Sequence, residues 1–328
     1  MRNLLLTIYI FISLIHFGQS NTTFNALNFN TTARISALGG TNVGVFDHDP
    51  STSLLLPSNL TKEQEGSLLM NYVNYFADTD IAILSYIFKI NEIGIFSTSL
   101  TYCNYGQFDY ADPSGDFSGQ QFSANDILLQ IGHAKRLTNN LQMGLNLKFV
   151  GSFYEQYNAL AFASDLSITY YDKSKDFGSF ILVKNLGGPL KKYYHSGIRY
   201  RLPFTGELGV NKKLEHAPIR FNLSYKHLER WDMLSSNTEN DNSLENFGRS
   251  FFSHLTLGTE LLFSDNFHFR FGYNFLNRIN LQPTSRPGTS GISWGTQFKI
   301  KKLIIAYTNA KFHMSGTSNH ISVIRKIK

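Results

Sequence analysis

The chain has 328 residues, enough for one large domain or two ordinary ones, yet charged residues make up only 16% while aromatics reach 14%. A soluble protein carries about 25% charged residues, and past residue 17 no apolar run approaches the roughly 18 to 20 residues that a spanning helix needs. Together these facts exclude a helical membrane protein and point to a transmembrane β-barrel, half of whose strand positions face a polar lumen.

The chain opens with MRNLLLTIYIFISLIHFGQS, in which Arg2 precedes an apolar stretch from Leu4 to Phe17 and then Gly18-Gln19-Ser20 as small-x-small. This is the layout of a secretory signal peptide over residues 1–20, with cleavage expected after Ser20. The single cysteine, Cys103, does not follow it, so no lipid-attachment cysteine and no internal disulfide are available.

Residues 21–66 show no alternation. Gly39-Gly40 and Asp49-Pro50 are turn signals, and Pro57 would be awkward in a central strand. Such a segment ahead of a barrel either reaches into the lumen as a plug or tucks against the periplasmic side, and composition does not separate the two. Asp47-His48-Asp49 offers three potential metal ligands, but no EF-hand or zinc spacing follows. Turn chemistry at Asp47 and Asp49 is the better reading, and no metal or cofactor is expected.

From residue 67 to residue 328 a period of two dominates. Leu141, Met143, Leu145, Leu147 and Phe149 alternate with Gln142, Gly144, Asn146 and Lys148; Ile219, Phe221, Leu223 and Tyr225 alternate with Arg220, Asn222, Ser224 and Lys226. The stretch FHFRFGYNF (267–275) carries a ring at every odd position and His268, Arg270, Gly272 and Asn274 between them. A period of two is a strand with two unlike faces. The predicted strands are 67–75, 79–88, 93–103, 122–133, 140–153, 158–171, 176–186, 203–211, 218–228, 250–263, 266–276, 289–300, 302–312 and 317–325. Their connections sort into a short set and a long set, as in outer-membrane barrels. The fold class is therefore all-β: an antiparallel transmembrane β-barrel of about fourteen strands, preceded by a periplasmic or plug segment.

Alternation turns Arg220, Lys226, Glu260, His268 and Arg270 toward the lumen. They mark either a permeation path or a filler network of paired charges, and the network is favoured. Gly291-Ile292-Ser293-Trp294-Gly295 matches the G-x-S-x-G elbow of hydrolases, but no Asp or Glu follows Ser293 and the serine lies mid-strand, so no catalytic role is expected. The loop from Glu229 to Arg249 carries Arg230, Trp231, Asp232 and Phe247, side chains of the kind that anchor interfaces, although a solvated loop would have a similar composition. No acidic residue occurs after Asp265, whereas ten Lys or Arg do. That asymmetry suits contact with anionic outer-membrane glycolipid, or simply a basic rim and lumen. Nothing in the chain points to nucleic acid.

The run ARISALGG, then Asp47-His48-Asp49-Pro50 and Pro57-Ser58-Asn59-Leu60, resembles the N-terminal signature of barrels related to outer-membrane long-chain fatty acid transporters. Within that group the chain resembles most the PorQ family of the type IX protein secretion system of Bacteroidetes, through NYVNYFAD, YCNYGQF, NLKFVGSFYEQYNALAFASDLSITYY, VKNLG and LGVNKKLEHAPIRFNLSYKHLERWD. The resemblance implies a fourteen-stranded barrel that anchors a surface protein of the attachment complex (PorZ-like) and acts on secreted cargo proteins indirectly. Two features depart from it: Leu56-Pro57-Ser58 stands where the transporters usually carry Asn-Pro-Ala, and the chain shown ends in IRKIK, not in an aromatic residue. The expected function is a non-catalytic docking barrel of that secretion system. The alternative is an outer-membrane transporter for hydrophobic small molecules of the long-chain fatty acid type.

Overall fold

The computed structural model describes residues 22–29, 32–47, 49–111, 114–193, 200–231, 233–234, 243–281, 288–313 and 316–327. The signal-like residues 1–20 and Asp232 lie outside them. Fourteen strands form a closed antiparallel barrel in chain order. They are β1 (Ser67–Asn74), β2 (Asp80–Ile90), β3 (Gly94–Ala111), β4 (Phe117–Arg136), β5 (Leu141–Tyr154), β6 (Tyr157–Asp172), β7 (Phe177–Lys191), β8 (Thr205–Lys213), β9 (Ile219–Lys226), β10 (Leu255–Ser264), β11 (Phe267–Asn274), β12 (Ile292–Ile300), β13 (Leu303–His313) and β14 (Gly316–Lys326). β1 closes on β14 from Ser67↔Lys326 to Asn74↔Asn319, which removes the open edge that a sheet in lipid could not tolerate.

The two faces of the wall are reversed relative to a soluble barrel. Along β5 the outward Met143, Leu147, Phe149 and Phe153 are exposed, while Gln142, Asn146, Lys148 and Ser152 between them are buried. An apolar outside and a polar inside are what acyl chains around a lumen require.

Several boundaries differ from the sequence reading, each for a local reason. Most of the loop expected at 104–121 is strand, because β3 and β4 continue as a projecting hairpin. Register shifts beyond Asn104 and a positive φ at Gly106 bend that hairpin, and Phe108 stacks on Phe122 across it at 5.5 Å. β10 begins at Leu255 because the residues before it form helix α2 (Ser243–Ser253). Phe275 does not complete the aromatic row of β11. The Asn274 side chain accepts the Asn277 amide at 3.0 Å and starts helix α3 (Phe275–Leu281) there. Within the row, Phe271 is exposed, Phe269 stacks on Trp294, and Phe267 packs on Phe298.

The segment before β1 lies inside the barrel. A short helix, α1 (Ala33–Ala37), ends in a turn in which the Gly39 amide bonds the Ser36 carbonyl and the Gly40 amide that of Ile35, with both glycines at positive φ. This is a Schellman ending, which side chains bearing a Cβ resist. From there the chain runs through short 3-10 turns at Pro57–Asn59 and Lys62–Gln64 into β1, buried nearly throughout. Its contacts circle the wall: Ala33 with Ser322 and Thr308, Ala37 with Ser293, Ser58 with Ser167 and Thr169, and Leu54 with Gln130 and Asn146.

Two inward glycines show how closely plug and wall approach. A Cβ on Gly272 would stand 1.9 Å from the Gly39 nitrogen, and one on Gly144 would stand 2.2 Å from the Ser58 nitrogen. Gly188, in contrast, has nothing within 4 Å of such a Cβ. Gly272→Ala is therefore expected to lower stability by about 1 to 3 kcal/mol, the usual range for overpacking, while Gly188→Ala stays near wild type. Denaturant midpoints of the purified barrel in detergent check this, and equal midpoints for the two variants would refute the close packing.

Candidate functional site

Two kinds of chemistry divide the lumen. The first is an ion-pair hub. Glu260 of β10 stands in register with Arg220 of β9 and Arg270 of β11, so alternation alone places one carboxylate between two guanidinium groups. The ion pairs measure 3.0 Å from Arg220 and 2.8 Å from Arg270. A third cation comes from the plug. Arg34 of α1 meets both oxygens of Glu260, at 3.0 and 3.2 Å, and its other nitrogen reaches Asp47 at 2.7 Å and Asp49 at 3.2 Å. Three arginines thus face three carboxylates, and Glu260 has no exposed surface. Arg270 also donates to Gln297 at 2.9 Å, and Gln297 borders the half-buried His268 at 3.5 Å.

Of the lumen residues named from sequence, Arg220, Glu260 and Arg270 meet directly, and His268 stands beside them. Lys226 lies apart, donating to the Gly40 carbonyl. Asp47 and Asp49 join as partners of Arg34, and Asp49 also accepts the Ser51 amide at 2.9 Å. Pro57 opens its 3-10 turn at a position where a missing amide costs nothing. Ser293 donates to the Ala37 carbonyl and accepts the Gly39 amide, both at 3.0 Å, so its hydroxyl holds the plug. Sequence reasoning missed Arg34, which sits where no alternation reports facing. It also did not pair Lys148 with Asp165, buried together at 2.6 Å. That pair was legible in principle, since both occupy inward positions of neighbouring strands.

The second region lies toward the long-loop end and is apolar. Leu128, Val150, Ala159, Ala161 and Ala163 line the inner faces of β4, β5 and β6, with Leu202 beside them, and Phe24 and Leu27 of the N-terminal segment fill the space between. Alanines at every second position of β6 were the available signal, since small inward side chains leave room. Phe24 holds φ at 63°, a left-handed conformation costly for a bulky residue. It stacks on Tyr193 at 6.2 Å, Tyr193 on Tyr154 at 5.4 Å, and Tyr154 meets Tyr105 edge-on at 5.9 Å. The adjoining wall is irregular. The β6–β7 ladder shifts register between Leu160 and Ala161 and again between Ser164 and Leu166, opposite Gly187-Gly188-Pro189. Pro189 brings no amide to the ladder.

At the surface, Trp231 packs on Phe247 at 5.4 Å and on His254 at 5.5 Å, so two of the loop residues named from sequence meet. Arg230 is exposed next to them. Phe251 and Phe252 extend the shelf along α2, and all four rings are exposed.

No protein-family model matches the chain, and no curated protein matches it. Solved structures do. The toluene transporter TodX of Pseudomonas putida is similar at 12% identity with a TM-score of 0.51, over 89% of this chain and 96% of that one. The monoaromatic hydrocarbon channel CymD is similar at 12% identity with a TM-score of 0.52, over 91% of this chain and 99% of that one. At such identity the likeness is one of fold.

Because Glu260 pairs with all three arginines, Glu260→Gln is expected to destabilise by about 3 to 5 kcal/mol, the cost of stranding buried charge. Denaturant midpoints and protease cutting within residues 33–66 read this out. A variant with unchanged midpoint and unchanged protection would show that the hub does not hold the plug.

Proposed function

We propose that this protein is an exported outer-membrane barrel, with residues 1–20 removed as a signal peptide and residues 21–66 as its plug, that passes small hydrophobic molecules across the membrane. The observation that carries the reading is the apolar pocket wall of Leu128, Val150, Ala159, Ala161 and Ala163, one of several apolar clusters in the lumen and the one filled by the strained Phe24 ring. A mostly apolar concavity is the usual form of a small-molecule site. Phe24 acts as a built-in competitor, with its burial opposed by about 1 to 3 kcal/mol of backbone strain, so an incoming ring displaces it at small net cost. The interrupted β6–β7 ladder, with exposed Leu160 and Leu186 outside and alanines inside, supplies the access route from the lipid phase. The similar folds of channels for toluene and other monoaromatic hydrocarbons support the same reading.

A second reading is favoured by one feature, the exposed shelf of Trp231, Phe247, Phe251 and Phe252. In it the barrel is a docking platform of the type IX secretion system, of PorQ type, holding a PorZ-like surface protein that attaches secreted cargo. Exposed aromatic clusters are common anchors of protein interfaces. Its support is that shelf and the sequence resemblance, and it leaves the apolar pocket without a role.

Binding of naphthalene to the purified barrel tests the first reading. Ala161→Trp should weaken it at least tenfold by filling the pocket, and Phe24→Gly should tighten it several-fold by removing the competitor while keeping the left-handed backbone. Affinities unmoved by both changes would reject the pocket. For the second reading, a Trp231→Ala, Phe247→Ala double variant should lose surface display of the partner and cargo; normal display would reject it.

A further inference from the structure

The pocket has a polar floor that a hydrocarbon does not explain. Asp126 sits on the inner face of β4, two residues before Leu128, and has no exposed surface. One of its oxygens accepts the Tyr105 hydroxyl at 2.7 Å and faces that of Tyr154 at 3.4 Å. The other, Oδ1, completes no close hydrogen bond among the described residues, although the Ser152 hydroxyl and the Ala26 amide stand beside the carboxylate, and Asp126 forms no ion pair among them. Ser152, its cross-strand partner on β5, and Tyr193 border the same carboxylate, and Ser152 Oγ and Tyr193 Oη, though near one another and near Asp126, are buried without completing a close hydrogen bond. Three polar atoms that only loosely satisfy one another therefore meet at one end of an apolar cluster. The ring beside them is Phe24, stacked on Tyr193.

A buried acceptor left unpaired is costly, and a site built to bond a ligand's hydroxyl discriminates strongly against the analogue lacking it. A carboxylate brought against Asp126 would add like-charge repulsion in a poorly screened setting. We infer that the pocket selects aromatic alcohols: the ring takes the place of Phe24 and the hydroxyl donates to Asp126 Oδ1, while aromatic and fatty acid anions are refused. This rests on the pocket being a ligand site, and sharpens that reading from hydrophobic molecules in general to phenol-like ones.

The test compares three ligands of one ring size, 2-naphthol, naphthalene and 2-naphthoate, binding to the purified full chain in one detergent, with affinities referred to the detergent phase. Naphthol is expected to bind about tenfold tighter than naphthalene, the scale of one hydrogen bond to a charged acceptor, and naphthoate at least tenfold weaker than naphthalene. Asp126→Asn should narrow the gap between naphthoate and naphthalene. Ser152→Ala, a milder change, should reduce the preference for naphthol over naphthalene by several-fold. If naphthol and naphthalene bind equally, or naphthoate binds as well as either, the inference is overturned while hydrophobic passage stands. If none of the three binds, the pocket reading falls, and this one with it.

Discussion

The lumen depends on one electrostatic constraint: Glu260, fully buried, must be surrounded by cations, and two of its three come from adjacent strands while the third comes from the plug. Arg220 and Arg270 by themselves would leave a net positive charge in the wall. Arg34 adds a further positive charge, but it brings Asp47 and Asp49 with it, so the whole set balances. Neutrality is reached only when barrel and plug are together. The N-terminal segment is thus a structural part of the wall's chemistry, and a barrel lacking it would expose unpaired charge to its own interior.

The same dependence recurs without charge. Inward Gln130, Asn146, Ser167, Ser293, Thr308 and Ser322, on β4, β5, β6, β12, β13 and β14, bond plug carbonyls and amides, and the plug has almost no backbone ladder of its own to satisfy them. Inward glycines at 144 and 272 let the plug backbone come close enough for those bonds. Polar side chains and small residues on one face are therefore two expressions of one requirement, a wall shaped to receive a folded chain.

That requirement explains what the sequence made legible. Alternation located all fourteen strands, because outside and inside demand opposite side chains at each step. It placed Arg220, Glu260 and Arg270 on one face, but their register depends on a bulge between Leu261 and Ser264 that alternation does not reveal. Arg34 was invisible because α1 has only five residues and no periodicity reports its facing. The projecting β3–β4 hairpin was read as loop because Tyr105 to Gln121 alternate poorly once both faces meet water. Phe24 could not be foreseen as a pocket filler, since its role depends on a left-handed backbone angle. The alanines of β6 were readable, but smallness signals room only when the neighbouring strands are known.

The two regions of the lumen differ in how firmly they hold the N-terminal segment, and this decides which part can move. Residues 33–66 are fixed by the Glu260 hub, whose disruption costs about 3 to 5 kcal/mol, and by hydrogen bonds around the wall. Residues 22–29 are held by apolar burial of Phe24 and Leu27 in one cluster and of Ala26 in another, by Phe29 against Tyr75 and Tyr105, and by a bridge from Thr22 and Thr23 to Arg201, with no ion pair among the described residues. Burying Phe24 contributes about 1.5 to 3 kcal/mol, and its backbone strain offsets about 1 to 3 kcal/mol of that. A ligand ring that replaces it restores the same apolar contacts and releases the strain, while the hub stays intact. In the proposed transport reading, access to the pocket would therefore require movement of residues 22–29 only, and a ligand would enter without withdrawal of the plug that keeps the charges paired.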